Sequence, residues 1–219
     1  LSEVNAEWEF QPERDTILAL GNFSKCESFN DWIALHLSLV EKTLASRDVS
    51  KLSETQKNNR AKLLTSLNHY WKQKVFPVND YLPYKNPVFI DRKGTHCAVG
   101  YLMQASGSET LAQEIDVQQK FAYVKDINVN GVSEWANRNG FTLEELAWIQ
   151  PGYPTTVKSF DMKGGLDGTV YAIVQDPSSQ TIYAAGKFSK SKLGVSCNNL
   201  AAWISGFAGF DWVSVNGGV

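Results

Sequence analysis

The sequence contains little cysteine, almost no charge imbalance and no long apolar run. Its three cysteines, Cys26, Cys97 and Cys197, form no CxxC pair among the 219 residues, which argues against a zinc knuckle. The formal net charge of −2 lacks the basic excess that is typical of a nucleic-acid-binding surface. No apolar run reaches the roughly 18 residues that a transmembrane helix needs, so no membrane span is predicted.

The residues that are present predict a folded, globular chain. Hydrophobic residues make up 43% and charged residues 20%, values that exclude wholesale disorder. The chain begins with Leu1 and has no basic segment followed by an apolar stretch. We therefore expect either that a leader has been removed or that this is an internal fragment.

Composition changes near residue 155 and predicts two domains. Residues 158–219 carry five lysines and four aspartates, whereas the other charged residues all lie in 1–157. The sequence Pro-Gly-Tyr-Pro at 151–154 marks the change as a turn or linker. We expect an α-rich globular domain over 1–157 and a second domain over 158–219.

Helical periodicity and capping signals dominate the first domain. Ser53 opens a capping box, and Thr142 opens a second one. Asn30 and Ser108 are candidate N-caps, and Gly140 is a candidate C-cap. The predicted helices span 31–46, 54–74, 97–104, 109–119, 132–139 and 142–149. Residues 8–10 and 16–20 are candidate strands. Residues 88–90 are expected to form either a strand or an extended segment.

The second domain has the alternation and turn residues of β structure. The predicted strands span 169–174, 181–188, 200–204 and 212–215, and the first two form a hairpin. Four short strands within about fifty residues match the layout of one propeller blade. The expected fold class is thus α+β, with an α-rich domain followed by one four-stranded antiparallel blade.

A family resemblance covers about 164–219. The segments 164–172 (GGLDGTVYA), 182–188 (IYAAGKF) and 195–203 (VSCNNLAAW), followed by Trp212, resemble the repeat of kelch-like or galactose-oxidase-like β-propellers. Ala185 and Cys197 depart from that pattern. Residues 217–219 (GGV) resemble the opening 164–166 (GGL), so further repeats are expected after Val219. The alternative is a lone β-meander.

The first domain resembles an uncharacterised α-rich domain of secreted bacterial proteins. The matching segments are YW at 70–71, FP at 76–77, PVFID at 87–91, GTHCAVGYL at 94–102 and IQPGY at 149–153. The resemblance implies export, as in type IX secretion, and supplies no activity.

Cys97 is the strongest candidate for chemistry. It is predicted near a helix N-terminus, where the helix dipole and free N–H groups lower a thiol pKa. His96 is adjacent and poorly placed as its base, since neighbours on a helix point about 100° apart. The other interpretations are an inert buried thiol and a disulfide between Cys26 and Cys97.

Other candidate groups have structural explanations. His36, His69 and His96 match no metal-ligand spacing, so no metal site is predicted. Glu145 is the acidic residue of the capping box that Thr142 opens. Glu144 suits the same helix N-terminus, because the helix dipole stabilises a negative charge there. Glu41 and Arg47 are expected to be surface charges, and Asp167 and Asp176 belong to ordinary turns.

These observations predict a binding module, without a catalytic residue, cofactor or metal. It is expected to be the N-terminal portion of a protein secreted by, or on the outer surface of, a Gram-negative bacterium. The expected partner is a protein or carbohydrate at the cell surface. The alternative is a secreted enzyme: a thiol-dependent hydrolase using Cys97, or a propeller enzyme whose site lies outside these residues.

Overall fold

The computed structural model describes residues 1–156, 165–176, 181–206 and 209–215. The chain divides into two compact units, Leu1–Lys158 and Ser159–Val219. The fold is α+β, with the helices in the first unit and an antiparallel sheet in the second. The domain boundary that composition predicts, between 157 and 158, lies outside the described residues.

Helices make up most of the first unit, and residues 74–97 form a long irregular connection between two of them. Short 3-10 helices occur at Ala6–Phe10, Phe23–Lys25 and Val124–Asp126. The α-helices are α1 (Arg14–Leu18), α2 (Phe29–Ser46), α3 (Glu54–Gln73), α4 (Ala98–Ala105), α5 (Glu109–Gln119), α6 (Val132–Arg138) and α7 (Leu143–Ile149).

Side-chain caps set where several helices begin. Reciprocal capping boxes at Ser53 and Thr142 confirm both predictions. The predicted cap of α2 at Asn30 is wrong. Ser28 caps this helix instead, because its hydroxyl accepts from the Asp31 N–H while the Asp31 carboxylate accepts from the Ser28 N–H.

The two strands predicted near the N-terminus are also wrong. Trp8 lies in the first 3-10 helix, which Asn5 caps by accepting the Glu7 N–H at 2.7 Å. Ile17 lies in α1 and is buried. Both segments are too short for periodicity to separate helix from strand.

One apolar core organises the helical unit. Its largest fully buried side chains include Trp8, Trp135, Trp148, Tyr153 and Phe89. The rings of Trp8 and Trp148 meet edge to face, 5.1 Å apart. Among the helices of the described residues, none is long and apolar enough to cross a membrane.

The second unit contains an antiparallel meander in the order β1-β2-β3-β4. Its strands are β1 (Thr169–Gln175), β2 (Ile182–Lys187), β3 (Leu200–Gly206) and β4 (Gly209–Ser214). Pairing of β1 with β2 confirms the predicted hairpin, whose turn residues 177–180 lie outside the described set. Residue 164, at the start of the predicted repeat, and residues 217–219, the predicted opening of the next repeat, also lie outside the described residues.

A small cluster of buried side chains stabilises this sheet. Trp203 and Trp212 occupy paired positions on β3 and β4, with their rings 5.4 Å apart. Asp167 ties the start of the sheet to a distant loop by accepting from the N–H groups of Ser189 and Lys190. These bonds, with one from the Ser189 hydroxyl, lower the pKa of Asp167 to about 2. The Asp167 carboxylate is therefore a structural acceptor, as its turn context predicts.

Candidate functional site

Cys97 lies at the N-terminus of α4, as the sequence predicts. It is the N-cap residue, and its Sγ accepts a hydrogen bond from the Gly100 N–H at 3.3 Å. Its own N–H donates to the Phe89 carbonyl at 2.8 Å, which anchors the start of the helix. The side chain is fully buried in the core.

Burial reverses the expected effect of the helix on this thiol. Loss of solvent raises the pKa of Cys97 to about 12, although N–H groups of Gly100 and Val99 act in the opposite direction. Burial and the raised pKa of Cys97 therefore give no support to the interpretation as an activated thiolate. A buried thiol that stays protonated is neither a nucleophile nor accessible to a substrate.

The neighbouring His96 contacts residues of α3 and α5. His96 Nε2 lies 3.2 Å from Glu109 Oε1 on α5. The His96 backbone carbonyl accepts from the Tyr70 hydroxyl at 2.9 Å. These contacts connect the entry of α4 to α3 and α5, so the segment acts as a junction between helices.

The structure does not bring the three histidines together as ligands. His36 is fully buried, His69 is exposed on α3, and His96 contacts Glu109. In the described parts of the chain, no three His, Cys, Asp or Glu side chains form a group able to hold a metal ion.

The other two cysteines differ in exposure. Cys26 is half-buried after the second 3-10 helix, and Cys197 is buried in the second unit. Partial burial raises the pKa of Cys26. All three cysteines are free thiols in the structure. The disulfide between Cys26 and Cys97 stays a prediction, which non-reducing peptide mapping tests.

Sequence reasoning missed the most strongly bonded charged group, Arg60. Its guanidinium donates to both Glu145 oxygens, at 2.7 and 2.9 Å, and to the carbonyls of Gly140 and Leu44. Arg60 and Glu145 are both more than nine-tenths buried. Arg47 adds a second contact to Glu145 at 3.1 Å.

Glu145 therefore has two tasks, of which the sequence shows only the capping box. Burial alone would raise the pKa of Glu145, but hydrogen bonds and the positive charge of Arg60 hold it below the usual value. Arg47 is exposed, as expected, whereas Glu41 is half-buried. Glu41 accepts from Asn68 Nδ2 and Trp71 Nε1, since all three lie along the interface of α2 and α3.

An exposed apolar strand is the most unusual surface of the second unit. Tyr171, Ile173 and Val174 on β1 keep 73%, 67% and 63% of their surface exposed, and Val170 is also exposed. β1 is an edge strand and contains no charged residue or proline. It thus lacks charge and proline, two of the features that usually protect a sheet edge from pairing.

A bulge at Tyr171 shapes this strand. Val170 pairs with Gly186 and Ala172 pairs with Ala185, which leaves Tyr171 without an opposite residue in β2. We call Val170, Tyr171, Ile173 and Val174 the β1 surface.

No family model, curated protein or solved structure matches the chain.

Proposed function

We propose that the chain is the N-terminal portion of an exported bacterial protein and acts as a binding module at the cell surface or outside the cell. The observation that carries this proposal is the β1 surface, where three large apolar side chains are mostly exposed on an edge strand. Exposed apolar surface of this kind marks an interaction site in a folded protein.

The sheet topology supports a propeller-like repeat. An antiparallel meander in sequence order is the strand order of one blade, and the repeat resemblance covers the same residues. In an array, each sheet is stabilised by its neighbours. We infer that further repeats follow Val219.

The partner class follows from the surface. A neutral, aromatic and aliphatic strand suits a protein or a carbohydrate, since neither requires a strong electrostatic field. The thiol-hydrolase alternative receives no support from the geometry, because Cys97 is buried and its pKa is raised to about 12.

Binding to immobilised outer-surface material of a Gram-negative bacterium tests the proposal. The purified chain is compared with Tyr171→Ser/Ile173→Ser and with Val117→Ser, a control at an exposed valine of α5. We expect binding by the wild type and the control, and at least about a tenfold loss (~1.4 kcal/mol) in the double variant.

The chemical class of the partner is assigned in the same assay. Protease treatment of the immobilised material abolishes binding if the partner is a protein, and periodate oxidation abolishes it if the partner is a carbohydrate. Absence of wild-type binding, or equal binding by the double variant, contradicts the proposal.

A further inference from the structure

Two Asn-Gly pairs flank helix α6. Asn130–Gly131 precedes the helix and Asn139–Gly140 follows it. Asparagine is thermolabile, and a following glycine favours deamidation because no Cβ hinders attack by the glycine nitrogen. The same dipeptide therefore occurs in one domain in two environments, and a third copy at 216–217 lies outside the described residues.

The first pair is free to react. Asn130 is exposed, and within the described part of the chain its side chain makes no hydrogen bond. The Gly131 N–H also donates none there. A Cβ on Gly131 would meet only a Leu111 methyl group at 3.7 Å, so the side of Gly131 that a Cβ would occupy is open.

The second pair is restrained at both reacting groups. Asn139 is 4% exposed, and its Nδ2 donates to the Trp135 carbonyl at 2.8 Å. The Gly140 N–H donates to the Asn137 carbonyl at 2.9 Å. The Gln56 carbonyl of α3 lies 2.9 Å from the place of a Cβ on Gly140, which leaves no room for rearrangement.

We propose that Asn130 is a site of spontaneous modification and that Asn139 is protected. The Gly131 nitrogen gives its proton to solvent base and attacks Asn130 Cγ. The side-chain nitrogen takes a proton from solvent, its bond to Cγ breaks and ammonia leaves, which closes a cyclic imide. Water then adds to one imide carbonyl and breaks that carbon's bond to the Gly131 nitrogen. Addition at Cγ gives aspartate, and addition at the main-chain carbonyl carbon gives isoaspartate, without oxidation or reduction.

The modification would lengthen the backbone between two buried residues. Isoaspartate inserts one methylene between Val129 and Val132, both of which are buried. The Val132 N–H donates to the Val129 carbonyl across this segment at 3.4 Å. Ageing is therefore expected to loosen the start of α6.

The test is incubation of the whole chain near pH 8, followed by peptide mapping and isoaspartyl methyltransferase labelling. We expect Asn130 to deamidate at least about tenfold faster than Asn139 in the folded protein. In denaturant the two sites should react at similar rates. Asn130→Gln should remove the modified peptide and leave the slow rate at Asn139 unchanged.

Two outcomes overturn the proposal. One is an equal or faster rate at Asn139 in the folded chain. The other is the same preference for Asn130 in denaturant, because flanking sequence would then explain the difference without the fold.

Discussion

The Trp8 indole N–H donates a hydrogen bond to His36 Nδ1 at 2.9 Å. This bond makes Nδ1 an acceptor, so the proton of the neutral ring is on Nε2. His36 is fully buried, and its Nε2 has no hydrogen-bond partner in the described part of the chain. One neutral imidazole thus connects the first 3-10 helix and α2.

We expect His36 to make the domain sensitive to mild acid. Burial lowers the pKa of His36 to about 3 from an ordinary 6.5. The unfolded chain therefore binds a proton that the folded chain does not, and stability falls as pH drops from 6.5 toward 3. The slope approaches ~1.4 kcal/mol per pH unit.

Urea unfolding of the wild type and His36→Gln at pH 7.0, 5.5 and 4.5 measures this effect, with His69→Gln as the exposed control. The wild type and control should lose stability over this range, while His36→Gln should lose clearly less. Parallel curves for all three proteins would contradict the assignment.

Arg60→Met should strongly destabilise the first unit. The change leaves the buried Glu145 carboxylate without its bidentate partner, which typically costs about 3–5 kcal/mol. Arg14→Met is the matched control, because Arg14 pairs with Glu9 at 2.8 Å on the surface and should cost no more than about 1 kcal/mol.

A double variant separates the ion pair from simple packing. Arg60→Met/Glu145→Leu removes both charges and should recover much of the lost stability in urea unfolding. If it is less stable than Arg60→Met alone, the unpaired charge is not the cause.

Alkylation should order the cysteines by exposure. With iodoacetamide near pH 8, we expect Cys26 to react first and Cys97 to stay unmodified until the protein unfolds, since Cys97 is buried with a pKa raised to about 12. Mass mapping of the modified peptides checks this order. Faster reaction at Cys97 than at Cys26 would refute the structural role given to Cys97.

Gly140→Ala should cost more stability than Gly107→Ala. Both glycines have positive φ, 71° and 78°, so alanine introduces strain of about 1–2 kcal/mol at either position. Only at Gly140 would the new Cβ lie 2.9 Å from the Gln56 carbonyl oxygen, whereas nothing lies within 4 Å at Gly107.

Thermal or urea unfolding of both variants isolates that packing contribution, because the backbone strain is shared. Equal losses would show that α3 moves away from Gly140 at little cost.

Local chemistry made much of the fold predictable. Ser53 and Thr142 cap the helices that the sequence predicts, because a hydroxyl and a carboxamide or carboxylate three residues apart satisfy each other's backbone groups. The strands of the second unit follow from alternation and turn residues. The shortest elements, around Trp8 and Ile17, were predicted wrongly because their periodicity spans too few residues.

The contacts of the candidate site could not be predicted from the sequence, because they join residues that are far apart in the chain. Arg60 and Glu145 are 85 residues apart, and no spacing rule joins them. The position of Cys97 at a helix N-terminus was predictable, but the direction of its pKa shift was not, since burial is a property of the packed core.

The sequence by itself determined the longer helices and their capping boxes at Ser53 and Thr142, where helical gives way to β structure, and that β1 is apolar and uncharged. These properties depend on neighbours within a few residues. Tertiary structure alone decided that Cys97 is buried, that Arg60 is buried against Glu145, and that Asn130 is exposed while Asn139 is buried. Each depends on solvent exclusion and contacts between distant segments, which form only when the chain packs.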